Sequence, residues 1–122
     1  MSKKESFLVN RIKSVGYAFK GAIYLIRTEA SVKIQVFCAI AITIAGFYFN
    51  ISKTEWTFQV ICIGLVMSLE GMNTAIEGIA DFIHPERHDA IGKIKDIAAG
   101  AVFIAAICAA IVALVIYVPK IF

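Results

Sequence analysis

The stretch SLEGMNTAIEGIADF, Ser68 to Phe82, follows the apolar run WTFQVICIGLVM with no turn residue between them. It carries three carboxylates, Glu70, Glu77 and Asp81, and one amide, Asn73. At 100° per residue these four side chains fall within about 80° of one another on a helix, so they form one polar face. An ionised carboxylate in hydrocarbon costs at least ~2.5 kcal/mol on insertion scales, and such a face therefore calls for protonation, cationic partners or metal. Glu29 lies ahead of the first long apolar run, and Arg87, His88, Lys93, Lys95 and Asp96 lie between the second and third. Acids and cations gathered at one depth suit phosphoryl transfer, in which carboxylates hold Mg²⁺, cations neutralise phosphate oxygens and a base accepts an alcohol proton. The bland alternative is a structural polar seam between helices. No Gly-x-x-x-x-Gly-Lys-Ser/Thr loop is present, and the two histidines, His84 and His88, share one short segment, which leaves no Ser/His/Asp arrangement. A histidine pair four apart could hold a metal, but a solvated loop is the simpler account of it.

The elements that must position these residues read as membrane helices. The 122 residues are 60% hydrophobic and 17% charged, with a mean hydropathy of +0.82, which does not suit a small soluble domain. Ile34 to Ser52 and Ile97 to Pro119 are free of charge over 19 and 23 residues, each close to the ~20 needed to cross hydrocarbon as a helix. The run from Trp56 to Leu69 has only 14 such residues before Glu70, so its acids must continue it as a span. With Trp56 at the outer boundary, Glu70 lies ~21 Å in and Asp81 ~37 Å in, at inner headgroup depth. Ahead of the spans, Ile12, Val15, Phe19, Ile23 and Ile26 form one helical stripe edged by Lys13, Lys20 and Arg27, as in a helix lying in the interface. A cytosolic helix packed on a partner has the same pattern.

The predicted organisation is a single membrane domain over residues 1–122: an interfacial amphipathic helix at 1–30 and spans at 32–50, 56–83 and 97–119. Asn50 and Ser52 are cap candidates at the outer turn, and Pro85 breaks the chain at the inner one. Ten of the twelve Lys and Arg fall in the segment up to Lys33 and in the 84–96 connection, which predicts a cytoplasmic N-terminus and an outer C-terminus. Ala101, Ala105, Ala109 and Ala113 recur every four residues and predict close helix contact in a bundle or oligomer. Cys38, Cys62 and Cys108 lie within apolar runs and read as reduced packing residues.

EGMNTAIEGIAD and the later RHDAIGKIKDIAAGAV together resemble the small integral-membrane diacylglycerol kinase family, including its undecaprenol kinase branch. The similarity runs from about Arg11 to Lys120. It implies an all-α homotrimer of three-span subunits in the bacterial inner membrane, each with a surface helix, using Mg²⁺ with ATP to phosphorylate a lipid alcohol. Carried over by motif, Glu70 is the expected general base, with Asn73 orienting the catalytic carboxylate. Glu29 and Glu77 are the expected metal ligands. Nucleotide contacts are expected from Tyr17, Glu29, Glu77, the Glu86, Arg87 and His88 loop, Lys95 and Asp96. Lipid contacts are expected at Trp56, Glu70 and Ala99. One departure is that Asn10 stands where the family has an arginine, with Arg11 beside it and turned by 100°.

ATP arrives from water and the lipid hydroxyl from the bilayer, so a helix that continues its acids inward from the surface serves both. The features EW, SLEGMNTAIE, AAGAV and VIYVPK lean to undecaprenol, with diacylglycerol a close second. Two other classes fit parts of the pattern. An ion-coupled transporter component would use the intramembrane acids as a relay, but its site belongs at the midplane and here the outer halves carry no charge. A structural membrane subunit leaves the Lys95 and Asp96 pair without a purpose.

Overall fold

The computed structural model describes residues 6–122, so Lys3 and Lys4 of the cation count lie outside the described residues. As expected, the fold is all-α, with four helices: α1 (Phe7–Thr28), α2 (Ala30–Tyr48), α3 (Lys53–Ile83) and α4 (Asp89–Ile121). The last three are long and apolar enough to cross a membrane.

Local sequence explains each boundary. Ser6 Oγ accepts from Val9 N at 3.2 Å and opens α1. Glu29, at φ −96° and ψ 118°, is both the last cap of α1 and the first of α2, so the chain bends sharply at a carboxylate. Just before the bend, Thr28 Oγ1 donates back to Tyr24 O at 2.7 Å, an arrangement that bends helices. At the other end of α2, Asn50 takes φ 53°, Asn50 N donates to Phe47 O and Ile51 N donates to Gly46 O. This is a Schellman stop, and its following residue, Ile51, is buried as that motif favours. Ser52 and Glu55 then form a reciprocal capping box at the start of α3.

The 31 residues of α3 extend ~46 Å at 1.5 Å each, well beyond a ~30 Å hydrocarbon core. The helix is therefore too long to lie wholly within the hydrocarbon along the membrane normal. The helix ends at Ile83 before Pro85, and α4 begins at Asp89 with His88 Nδ1 accepting from Ala90 N at 3.1 Å. The inner connection is consequently 84–88 rather than 84–96. Lys93, Lys95 and Asp96 stand on the first turns of α4, because after His88 no residue interrupts helix formation.

Packing is concentrated at two places. At the outer end Ile51, Ile116 and Tyr117 form a core with Trp56, Phe49 and Val112 around them. Gly46 faces Trp56 so closely that a Cβ there would lie 2.6 Å from the indole. Tyr117 OH donates to Gln59 Oε1 at 2.6 Å, and Gln59 Nε2 donates to Ile42 O at 3.2 Å, which ties three helices together. Lys120 and Glu55 add an ion pair at 2.8 Å. Toward the inner end α3 and α4 meet through small residues, Ala80, Ala98, Val102 and Ala105. The alanine row is thus divided: Ala105 is buried and Ala109 and Ala113 are half-buried, while Ala101 is exposed. Cys62 is half-buried, but Cys38 and Cys108 are exposed. Only 11%, 11% and 22% of the three spanning windows is buried within the chain, so lipid or other subunits must cover the rest.

Candidate active site

The polar face of α3 is built as its periodicity predicts. Glu70 and Asn73 are buried at 8% and 9% exposure, Glu77 is half-buried and Asp81 is exposed. Burial along this face thus decreases toward the C-terminal end of α3. Asn73 Nδ2 donates to Glu77 Oε1 at 3.1 Å, one turn along. The amide expected to orient the catalytic carboxylate thus donates to Glu77, the expected metal ligand, four residues along the same helix face.

The elbow at Glu29 returns the end of α1 to α3. Leu25 reaches the position of Gly71, where an added Cβ would lie 3.0 Å from its Cδ2, so the glycine beside Glu70 admits the surface helix. Below this contact is a cavity of about 560 Å³ lined by residues of α1 and α3, among them Tyr24, Glu29, Thr74, Glu77 and Asp81. Gly21 and Gly78 also border it, and nothing lies within 4 Å of a Cβ built at either, so their small size leaves the space open. Glu29 and Glu77, 48 residues apart in sequence, therefore converge on one space. At its rim Lys95 of α4 forms an ion pair with Asp81.

The remaining residues are distributed around this centre. Asp96, beside Lys95, is exposed on α4, and Ala99 is exposed one turn further on. In the connection, Glu86, Arg87 and His88 are exposed. The segment is folded on itself by His84 Nδ1 at 2.8 Å from Glu86 O and by edge contact of the two imidazoles at 5.2 Å. Tyr17 is exposed on α1, ~18 Å along the helix from Glu29, and does not line the cavity within one chain. Trp56 belongs to the outer core, ~21 Å along α3 from Glu70. Arg11 lies over the Phe7 ring and donates to Ser14 Oγ, while the neighbouring Asn10 Oδ1 is buried with no hydrogen-bond partner among the described residues.

A second, almost wholly apolar cavity of about 450 Å³ separates α2, α3 and α4 at Cys38, Ile42, Cys62, Val66 and Ala109. Gln35 lines it with a buried Oε1 that has no hydrogen-bond partner among the described residues. Sequence reading passed over Gln35, although an amide inside a charge-free span was a signal available to it.

The sequence profile of prokaryotic diacylglycerol kinase matches residues 16–117. The chain belongs to the prokaryotic diacylglycerol kinase family. It is accordingly a lipid kinase, transferring phosphate to an alcohol. Among relatives in the family, undecaprenol kinase of Bacillus subtilis (strain 168) is 38% identical over 120 residues, covering 98% of each chain. Diacylglycerol kinase of Haemophilus influenzae is 31% identical over 102 residues, covering 84% of this chain and 86% of the relative. Diacylglycerol kinase of Escherichia coli (strain K12) is 30% identical over 100 residues, covering 82% of both.

For a kinase of this family the donor set at the cavity suits a hard cation. Glu29 and Glu77 offer carboxylate oxygens, and Mg²⁺ is commonly held by one or two carboxylates together with substrate phosphates. Asn73 does not line the cavity but bonds to Glu77, which does, and its Oδ1 is buried with no hydrogen-bond partner among the described residues, a free acceptor next to that carboxylate.

Proposed function

We propose that this chain is an ATP- and Mg²⁺-dependent kinase for a membrane lipid alcohol, undecaprenol ahead of diacylglycerol, acting as a homotrimer at the cytoplasmic face of the bacterial inner membrane. The observation that carries this reading is the convergence of Glu29 and Glu77 on one cavity beside the helix that buries Glu70. The similarity to undecaprenol kinase of Bacillus subtilis, which is higher in identity and longer in coverage than that to the diacylglycerol kinases, favours the polyprenol.

In this reading Glu70 accepts the proton of the lipid hydroxyl as its oxygen bonds to the γ-phosphorus and the bond from that phosphorus to the β,γ-bridging oxygen breaks, releasing ADP. Its depth keeps water, a competing acceptor, away from the transfer. Glu29 and Glu77 hold the metal, which when bound supplies charge neutralisation for the phosphate oxygens. Asn73 fixes the Glu77 rotamer through its 3.1 Å bond. Lys95 meets phosphate, and the exposed Glu86, Arg87 and His88 segment, Asp96 and Tyr17 contact the nucleotide. Trp56 and Ala99 contact the lipid. Residues that do not line the cavity of one chain are completed by neighbours in the trimer, and the outward apolar surface of each subunit supports that assembly.

The test is ATP consumption by the purified protein in micelles with undecaprenol, diacylglycerol or no lipid. Lipid-dependent turnover, faster with undecaprenol, is the expected result. Turnover that ignores both lipids contradicts the proposal, and faster turnover with diacylglycerol reverses the substrate order.

A further inference from the structure

Asp81 differs from the other acids of the α3 face. Glu70 and Glu77 lie deeper, whereas the Asp81 side chain is 61% exposed and already engaged, its Oδ1 accepting from Lys95 Nζ. The pair joins the last turn of α3 to the second turn of α4 across the inner connection, 14 residues apart in sequence. An ion pair this exposed contributes little to stability, so holding the two helices together is a weak reason for it. Its placement is more informative. Asp81 lines the same cavity as Glu29 and Glu77 and stands one helical turn from Glu77.

Left alone, two carboxylates at i and i+4 repel each other, and the lysine ammonium, on a flexible four-carbon stem, would sample many positions in water. The pairing answers both problems. It sets a positive charge on the carboxylate one turn from Glu77 and ties the end of the stem to Asp81, which lines the cavity. An ammonium has three donors, and one engaged by Asp81 leaves two for other oxygens. A phosphate chain entering this cavity from water would meet Lys95 held at the entrance instead of having to order it.

We infer that Asp81 is a positioning residue: it holds the Lys95 ammonium at the cavity rim in readiness for nucleotide phosphate, and is not itself a metal ligand. This rests on the proposed ATP chemistry of the same cavity.

The experiment uses the full chain in micelles and compares wild type, Asp81→Asn, Asp81→Glu, Lys95→Met and the Asp81→Asn/Lys95→Met double variant. Binding of a non-hydrolysable ATP analogue with Mg²⁺ is measured by calorimetry, beside KM, kcat, the Mg²⁺ requirement and thermal stability. Asp81→Asn is expected to weaken analogue binding and raise KM for Mg-ATP by roughly ten-fold, with kcat at saturation little changed, as loss of one charge-assisted contact implies. Asp81→Glu is expected to recover most of the affinity. In the Lys95→Met background Asp81→Asn should have no further effect. A higher Mg²⁺ requirement at saturating nucleotide with analogue affinity intact makes Asp81 a third metal ligand and overturns the inference. So does tighter analogue binding in Asp81→Asn, which means that the carboxylate competes with phosphate. A loss of thermal stability alone leaves Asp81 a helix tie, which also overturns it. Wild-type protein that binds the analogue but consumes no ATP with any lipid contradicts the lipid kinase reading, while the variant comparison still decides the role of Asp81.

Discussion

Asn73 Nδ2 donates to Glu77 Oε1 at 3.1 Å, so the buried amide of α3 secures the half-buried carboxylate rather than the buried one, Glu70. Replacing Asn73 with Ala should leave Glu77 free to rotate. The expected result is a Mg²⁺ requirement about 10-fold higher at saturating ATP, as for loss of the partner of a proposed metal-binding carboxylate. Titrating Mg²⁺ at fixed ATP measures it, and an unchanged requirement would show that the bond has no bearing on metal.

Glu70→Gln and Glu77→Gln should fail differently. Glutamine at position 70 keeps the volume of a buried side chain and removes the proposed proton acceptor, so turnover should fall by roughly 10²-fold or more while assembly and nucleotide affinity persist. At position 77 the same change replaces the proposed anionic metal ligand with a neutral amide, and the loss should appear in the Mg²⁺ and nucleotide dependence. Steady-state kinetics across both concentrations separates them. Rescue of Glu70→Gln by added Mg²⁺, without rescue of Glu77→Gln, reverses the assigned roles.

Tyr117→Phe removes the hydroxyl shared with Gln59 at 2.6 Å. Hydrogen bonds between membrane helices average ~0.6 kcal/mol and reach ~1.7, so a loss in that range is expected in detergent unfolding. Turnover should survive, because the network lies at the opposite end of α3 from the carboxylates. A large loss of activity at unchanged stability would contradict this.

Gly46→Ala should cost more, about 1–3 kcal/mol, since the new methyl would lie 2.6 Å from a ring packed into the outer core. Pairing it with a smaller side chain at Trp56 should recover part of the loss. Unfolding of the single and double variants checks both statements.

Much of this architecture can be read from local order in the sequence. The spans follow from charge-free runs, the start of α3 from Ser52 and its Glu55 partner, and the end of α3 from Pro85. The polar face of α3 follows from helical periodicity, which needs no tertiary information. What could not be read depends on distances between helices. Tyr117 and Gln59 are 58 residues apart, and Lys95 and Asp81 pair only because the inner connection is short enough to set α4 against α3. The start of α4 at Asp89 was obscured because Lys93, Lys95 and Asp96 read as a hydrophilic loop, although charged residues are good first turns for a helix that emerges from the membrane. The cavity itself is a product of the bend at Glu29, whose backbone conformation no residue type dictates.

The contact between Gly46 and Trp56 has an optical consequence. The sequence contains one tryptophan, and its ring lies 4.8 Å from Phe47 in the outer core, far along α3 from the carboxylates. Intrinsic tryptophan emission is therefore a signal from a single position. Fluorescence recorded during detergent titration follows this corner of the fold alone, while nucleotide bound at the proposed site, toward the other end of α3, would lie outside direct quenching contact with the chromophore. Any emission change on adding Mg-ATP would thus measure motion transmitted along the helices.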